Sequence, residues 1–236
     1  MGSDHYGSDS FARQIAPESH WPDIHALICI VSDVKKSTSS TSGMQRSVKT
    51  STLLEHRIEE VVPIRMEIMV RAIMEKDFDT FARMTMADSN QFHAIALDTE
   101  PPIFYMNDVS RAIISLIVEY NRLSVAAGTG YKAAYTFDAG PNAVIYALDR
   151  NIKEIIELIV TYFPQEENSF KDVFGLFDGS QLEGKVPTGF NENVAKPYGV
   201  GAVKGLIHTR VGDGPRKLGE GEGLLNATGF PQKSGK

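Results

Sequence analysis

The chain has 236 residues, 42% of them hydrophobic, and a net charge of −6, so it can bury a sizeable core in one or two domains. No block of Lys and Arg appears, which argues against nucleic acid as the main partner, and apolar runs such as residues 26–31 fall far short of the roughly 20 residues a membrane span needs. No cationic start leads into an apolar leader, and the single Cys29 forms neither an intrachain disulfide nor a thiolate cluster, so the residues point to a reducing cytosol without a membrane.

Residues 12–16 and 25–31 read as the first strands, the second bounded by Pro22-Asp23 and Ser32-Asp33. Residues 35–42 are polar, serine-rich and loop-like. From residue 43 to 120 the pattern is helical, with Pro63 and Pro101-Pro102 as breaks and Asp77 and Asn107 as caps. Met66, Met69, Met74, Met84 and Met86 read as core filler, and Trp21 as packing. Residues 131–137 and 143–149 are strands around the bend Ala139-Gly140-Pro141-Asn142, and predict a hairpin.

Ile152, Ile155, Ile156, Ile159, Val160 and Phe163 then follow the helical repeat with Lys153, Glu154 and Glu157 opposite, a helix laid on a sheet and stopped by Pro164. Residues 164–202 read as an irregular insertion, 203–211 as a returning strand and 212–236 as a flexible tail. Strands interleaved with blocks of helix predict an α+β domain, an antiparallel sheet with helices packed on one face.

Three stretches carry chemistry. In Y-T-F-D-A-G-P-N-A at residues 135–143, Asp138 lies between an apolar strand and a turn, where a charge is unfavourable unless something uses or satisfies it. The residues alone allow an Asx-type turn in which the carboxylate caps the bend. In S-S-T-S-G-M at residues 39–44, hydroxyls precede a helix, which makes either an ordinary N-cap or a place for an anion, with Lys35, Lys36, Arg46 and Lys49 nearby in sequence. The third, D-S-N-Q-F-H at residues 88–93, reads as a polar helix face packed near the site, with His93 a hydrogen-bonded structural histidine. The six histidines are scattered and none forms an i, i+4 pair, so no protein-held transition metal is expected.

These stretches, in this order and with A-P-E-S-H-W-P at 16–22, V-V-P at 61–63 and P-P-I-F-Y-M-N at 101–107, resemble the diphosphomevalonate (mevalonate diphosphate) decarboxylase family over residues 11–163. The similarity returns weakly at 203–215 and is absent at 164–202. The resemblance implies the fold of the GHMP small-molecule kinase superfamily, residues 1–163 forming the core of its C-terminal domain and the ATP-binding N-terminal domain lying outside the chain. No glycine- and serine-rich phosphate loop is found: Gly175-Leu176, Gly205-Leu206 and Gly223-Leu224 lack the following serines.

The family uses ATP and Mg²⁺ to phosphorylate the tertiary hydroxyl of (R)-5-diphosphomevalonate, after which phosphate and carbon dioxide leave to give isopentenyl diphosphate for isoprenoid and sterol synthesis. By resemblance Asp138 is the catalytic carboxylate, Ser40 and Thr41 touch the substrate diphosphate, and the chain forms homodimers. With the ATP loop outside it, the isolated chain is expected to turn over very slowly or not at all. Two alternatives stay open, a truncated non-catalytic dimerisation module of the same family and a related kinase acting on a different alcohol.

Overall fold

The computed structural model describes residues 8, 11–32, 38–166, 169–177, 182–219, 221–226 and 228–231. Four strands, β1 (Ile24–Ile30), β2 (Ala133–Phe137), β3 (Ala143–Leu148) and β4 (Gly205–Arg210), make one antiparallel sheet in the order β2-β3-β1-β4. Strand alternation sorts the side chains. His25, Leu27 and Cys29 stand opposite Ala147, Ile145 and Ala143, and all six are buried, whereas Ala26, Ile28 and Ile30 on the other face are half-buried.

Helices α5 (Asp108–Ala126) and α6 (Asp149–Tyr162) cover the buried face. The isoleucines at 152, 155, 156 and 159 are fully buried, as their spacing predicts, and α6 ends before Pro164. Tyr120 of α5 donates to Glu154 of α6 at 2.6 Å, tying the two helices together. Cys29 lies wholly inside, and burial pushes its thiol up to about 12, so it is inert at neutral pH.

Helix α4 (Phe78–Asp98) runs along the free edge of β2, with α1 (Ser40–Thr50), α2 (Thr52–His56) and α3 (Val62–Glu75) outside it. Asp77 caps α4 by accepting from the Thr80 amide at 3.1 Å, and Asn107 opens α5 in a capping box with Ser110, as the sequence predicts. The hairpin of β2 and β3 also forms as expected. No described helix is long and apolar enough to cross a membrane.

Four expectations fail. Residues 40–42, read as the end of a loop, already form the first turn of α1, capped by Ser39. Residues 12–16 form no strand; they run along the surface, Ile15 is exposed, and the chain becomes buried only at Trp21 and Ile24. Pro63 does not break the helical run, because it sits in the first turn of α3 just after a π-helical turn at Arg57–Val61, where the missing N–H is tolerated. Met66 and Met74 are exposed on α3 rather than core filler, since α3 is the outer layer and its apolar residues are only partly covered. Residues 164–202 carry one 3₁₀ turn among the described residues, at Glu192–Val194, yet they bury Phe177 and Phe190 against the core.

Candidate active site

The corner after β2 is built by residues far apart in sequence. Its backbone turns back at once, the Gly140 amide donating to the Asp138 carbonyl at 2.8 Å. The Asn142 side chain then accepts from the amides of Val31 and Ser32, at 2.8 and 3.0 Å, and so pins the bend to the end of β1. From the other side Ser110, in the first turn of α5, donates to the Pro141 carbonyl at 2.8 Å. Two separate elements therefore hold the bend.

Asp138 itself is exposed, and none of the described residues hydrogen-bonds to its carboxylate. The Asx-turn reading of Asp138 is therefore not what the structure has; the side chain that ties down this bend is that of Asn142. A carboxylate at the lip of a buried strand that bonds to none of its described neighbours has its lone pairs open to whatever approaches.

Two aromatic neighbours lie within its field. Burial holds the buried His93 imidazole below its ordinary pKa, against the opposing pull of the Phe137 main chain and of the Asp138 charge. Tyr105 is held above the ordinary phenol value first by burial, with Arg46 lowering it and Asp138 raising it. Tyr105 thus lies between the carboxylate and α1. Its hydroxyl sits where a Cβ on Gly43 would collide with it, which explains a glycine inside the first turn of a helix.

That first turn is the serine-threonine segment. Ser39 is the N-cap, its hydroxyl accepting from the Ser42 amide at 3.1 Å. Because Ser39 performs the capping, the exposed hydroxyls of Ser40 and Thr41 make no hydrogen bond with any described residue. Arg46 stands one turn further on, bonded to Thr38 at 3.2 Å, with its Nε buried and without a partner among the described residues. Free hydroxyls, a helix N-terminus and an incompletely satisfied guanidinium are a donor set suited to an anion. Lys35 and Lys36 lie outside the described residues, and Lys49 is exposed at the far end of α1.

The D-S-N-Q-F-H motif divides its labour. Asp88 faces away, accepting two hydrogen bonds from Arg57 at 2.6 and 2.8 Å and one from Arg65 at 3.1 Å; these hold its carboxyl below the usual carboxylate range. Asn90 accepts from the Tyr135 hydroxyl at 3.1 Å, and Ser89 from the Phe137 amide at 3.0 Å. Sequence reasoning missed Tyr105 and the anchoring role of Asn142. A glycine directly after six hydroxyl residues, at a helix start, is the signal that a bulky group lies across the helix there.

The family model of the mevalonate 5-diphosphate decarboxylase C-terminal domain matches residues 26–218. The diphosphomevalonate decarboxylase of Ganoderma lucidum is 68% identical over 232 residues, which is 98% of this chain and 58% of that protein. The structure of mevalonate diphosphate decarboxylase from Trypanosoma brucei is similar with a TM-score of 0.81 and 34% identity, over 95% of this chain and 58% of that one. A structure named MDDEF, in complex with MVAPP, AMPPCP and magnesium, is similar with a TM-score of 0.54 and 25% identity, over 63% of this chain and 44% of that one. The chain thus spans a little over half the length of the curated relatives it matches.

Proposed function

The chain belongs to the mevalonate 5-diphosphate decarboxylase family, and on that premise we propose that it carries the carboxylate and diphosphate-binding part of a site for ATP-dependent decarboxylation of (R)-5-diphosphomevalonate to isopentenyl diphosphate. Asp138 accepts or orients the proton of the tertiary alcohol, a poor nucleophile that needs a positioned base. Ser40 and Thr41 hold the substrate diphosphate, with Arg46 adding positive charge. The fixed corner at Gly140-Pro141-Asn142 keeps the carboxylate in one direction relative to α1, as reacting groups require.

The observation that carries this reading is the state of the two ends of the site. The carboxylate and the two hydroxyls are exposed and unbonded to described residues, while Tyr105 touches α1 and feels the Asp138 charge. Being left to solvent rather than to the fold, these acceptors and donors are open to a ligand.

ATP and magnesium enter as family chemistry. Among the described residues no group of three or more His, Cys, Asp or Glu converges to hold a metal, so no step is assigned to either here.

Titration calorimetry with 5-diphosphomevalonate tests the reading. The chain is expected to bind it, and Thr41→Ala to weaken binding about tenfold, the loss of one hydrogen bond to a charged group, with folding stability changed by less than about 0.5 kcal/mol. Absence of heat, or equal affinity in the variant, contradicts it.

A non-catalytic, self-associating module is the second reading, favoured by one observation: Met44, Val48, Ile58, Ile64 and Met66 leave apolar surface open along α1 to α3. Self-association by itself fits both readings, since a cytosolic homodimer is also proposed for the enzyme. Sedimentation velocity checks it, a discrete dimer supporting it and a monomer refuting it.

A further inference from the structure

An edge strand exposes every second residue's N–H and C=O, both turned away from its partner strand. In β2 that row includes Ala133 and Phe137, and side chains from the flanking helices meet it. At Ala133 a single residue does so: Asn121 of α5 donates to the Ala133 carbonyl at 2.9 Å and accepts from the Ala133 and Lys132 amides at 3.1 and 3.0 Å. At Phe137, the residue just before Asp138, two residues of α4 share the work. Ser89 accepts from the Phe137 amide at 3.0 Å, and the His93 ring lies against the Phe137 main chain, whose carbonyl is turned the same way.

Ser89 and His93 are four apart on α4 and so lie one above the other on a single face. Each is 5% exposed. The His93 ring also packs edge-on against Phe137, with centroids 6.2 Å apart, and against Tyr105 at 6.4 Å. Its Nε2 is buried with no partner among the described residues. Burial lowers the imidazole pKa, so at neutral pH the ring stands beside Asp138 without adding a charge that would neutralise it.

We infer that Ser89, bonded to the Phe137 amide, and His93, packed against the same residue, are positioning residues that together set the direction in which Asp138 leaves the strand. This rests on the reading of Asp138 as the reacting carboxylate. It differs from plain edge covering, because Asn121 covers the same edge four residues upstream and serves as the internal control.

Amide hydrogen exchange followed by NMR on the whole chain tests it without substrate. In the unmodified chain the amides of Phe137 and Gly140 are expected to exchange as slowly as those of Ala134 and Thr136, which face β3. Ser89→Ala and His93→Leu are expected to speed exchange at Phe137 and Gly140 at least tenfold while leaving Ala134 and Thr136 unchanged, and His93→Gln, which keeps an amide donor, to restore much of the protection. Asn121→Ala is expected to release Ala133 but not Gly140.

Fast exchange at Phe137 or Gly140 in the unmodified chain overturns the inference even if every variant fails to fold. So does a folded Ser89→Ala or His93→Leu chain with unchanged Gly140 exchange, or an equal effect from Asn121→Ala. A chain that shows the expected exchange pattern yet binds no 5-diphosphomevalonate would refute the proposed function and leave the clamp standing.

Discussion

Buried histidines occur at two places on this sheet. On β1 and β4, His25 Nδ1 and His208 Nε2 meet at 2.7 Å, with Phe174 packed on both rings at 5.2 and 4.5 Å and Arg210 over the Phe174 face. At the end of β2, His93 makes no such pair; it faces the Phe137 main chain and the field of Asp138. Burial lowers the pKa of all three, in His208 to about 4 with His25 adding to the effect, and Asp149 opposes the fall in His25. The first pair bonds within itself, and His25 also stands 3.7 Å from Asp149; although His208 Nδ1 is left buried without a partner among the described residues, the pair belongs to the scaffold. In the second region the exposed Asp138 carboxylate accepts no hydrogen bond from a described residue, and that difference, rather than burial, a shifted pKa or an unpartnered imidazole nitrogen, separates site from scaffold.

The largest expected effect lies wholly on the site side. In the complete enzyme Asp138→Asn should lower decarboxylation by about 10²- to 10⁴-fold, the usual contribution of a positioned proton acceptor. It should leave the melting temperature of the chain almost unchanged, because the described residues make no hydrogen bond to that carboxylate. A large loss of stability would move Asp138 to the scaffold. The mirror image is Ile155→Ala on α6, where a fully buried side chain is truncated. Urea unfolding should show a loss of about 2–5 kcal/mol, with affinity for 5-diphosphomevalonate unchanged at temperatures where the variant is folded.

Much of this division could be read from the sequence, and what escaped has a common cause. The strands at β1, β2 and β3, the amphipathic α6 and the caps Asp77 and Asn107 depend on neighbours within a few residues, so periodicity and side-chain chemistry revealed them. Asn142 with Val31 and Ser32, or His25 with His208, depend on partners more than a hundred residues away, which no local pattern encodes. Residues 12–16 mislead for the opposite reason: they have a strand's local composition but no partner strand among the described residues. At the site, the position of Asp138 at a strand end was legible. That Ser39 would do the capping, leaving Ser40 and Thr41 free, was not, because six successive hydroxyl residues offer no local way to choose among them.

The pH response sharpens the scaffold side. The lowered His208 pKa means that the unfolded chain binds more protons between about pH 6.5 and 4, so its contribution to stability is complete above about 6.5 and is lost as the pH falls through that window. On the order of 2–3 kcal/mol should disappear. Urea midpoints measured across that range should fall accordingly, and His208→Phe should flatten the fall; an unchanged pH slope in the variant would show that the pair does not control it.

The smallest effect is at the bend. Asn142→Ala removes the acceptor for the Val31 and Ser32 amides and should destabilise the chain by about 1–3 kcal/mol. Unlike Ile155→Ala it should also weaken 5-diphosphomevalonate binding, because the bend carries Asp138. Calorimetry that finds the two variants alike would erase the distinction between site and scaffold at that corner.

A crystal structure of the chain with 5-diphosphomevalonate tests the central claim most directly. The account predicts the diphosphate on the hydroxyls of Ser40 and Thr41 and the tertiary hydroxyl about 3 Å from the Asp138 carboxylate. A diphosphate bound elsewhere, or that hydroxyl turned away from Asp138 and beyond hydrogen-bonding reach, would contradict it.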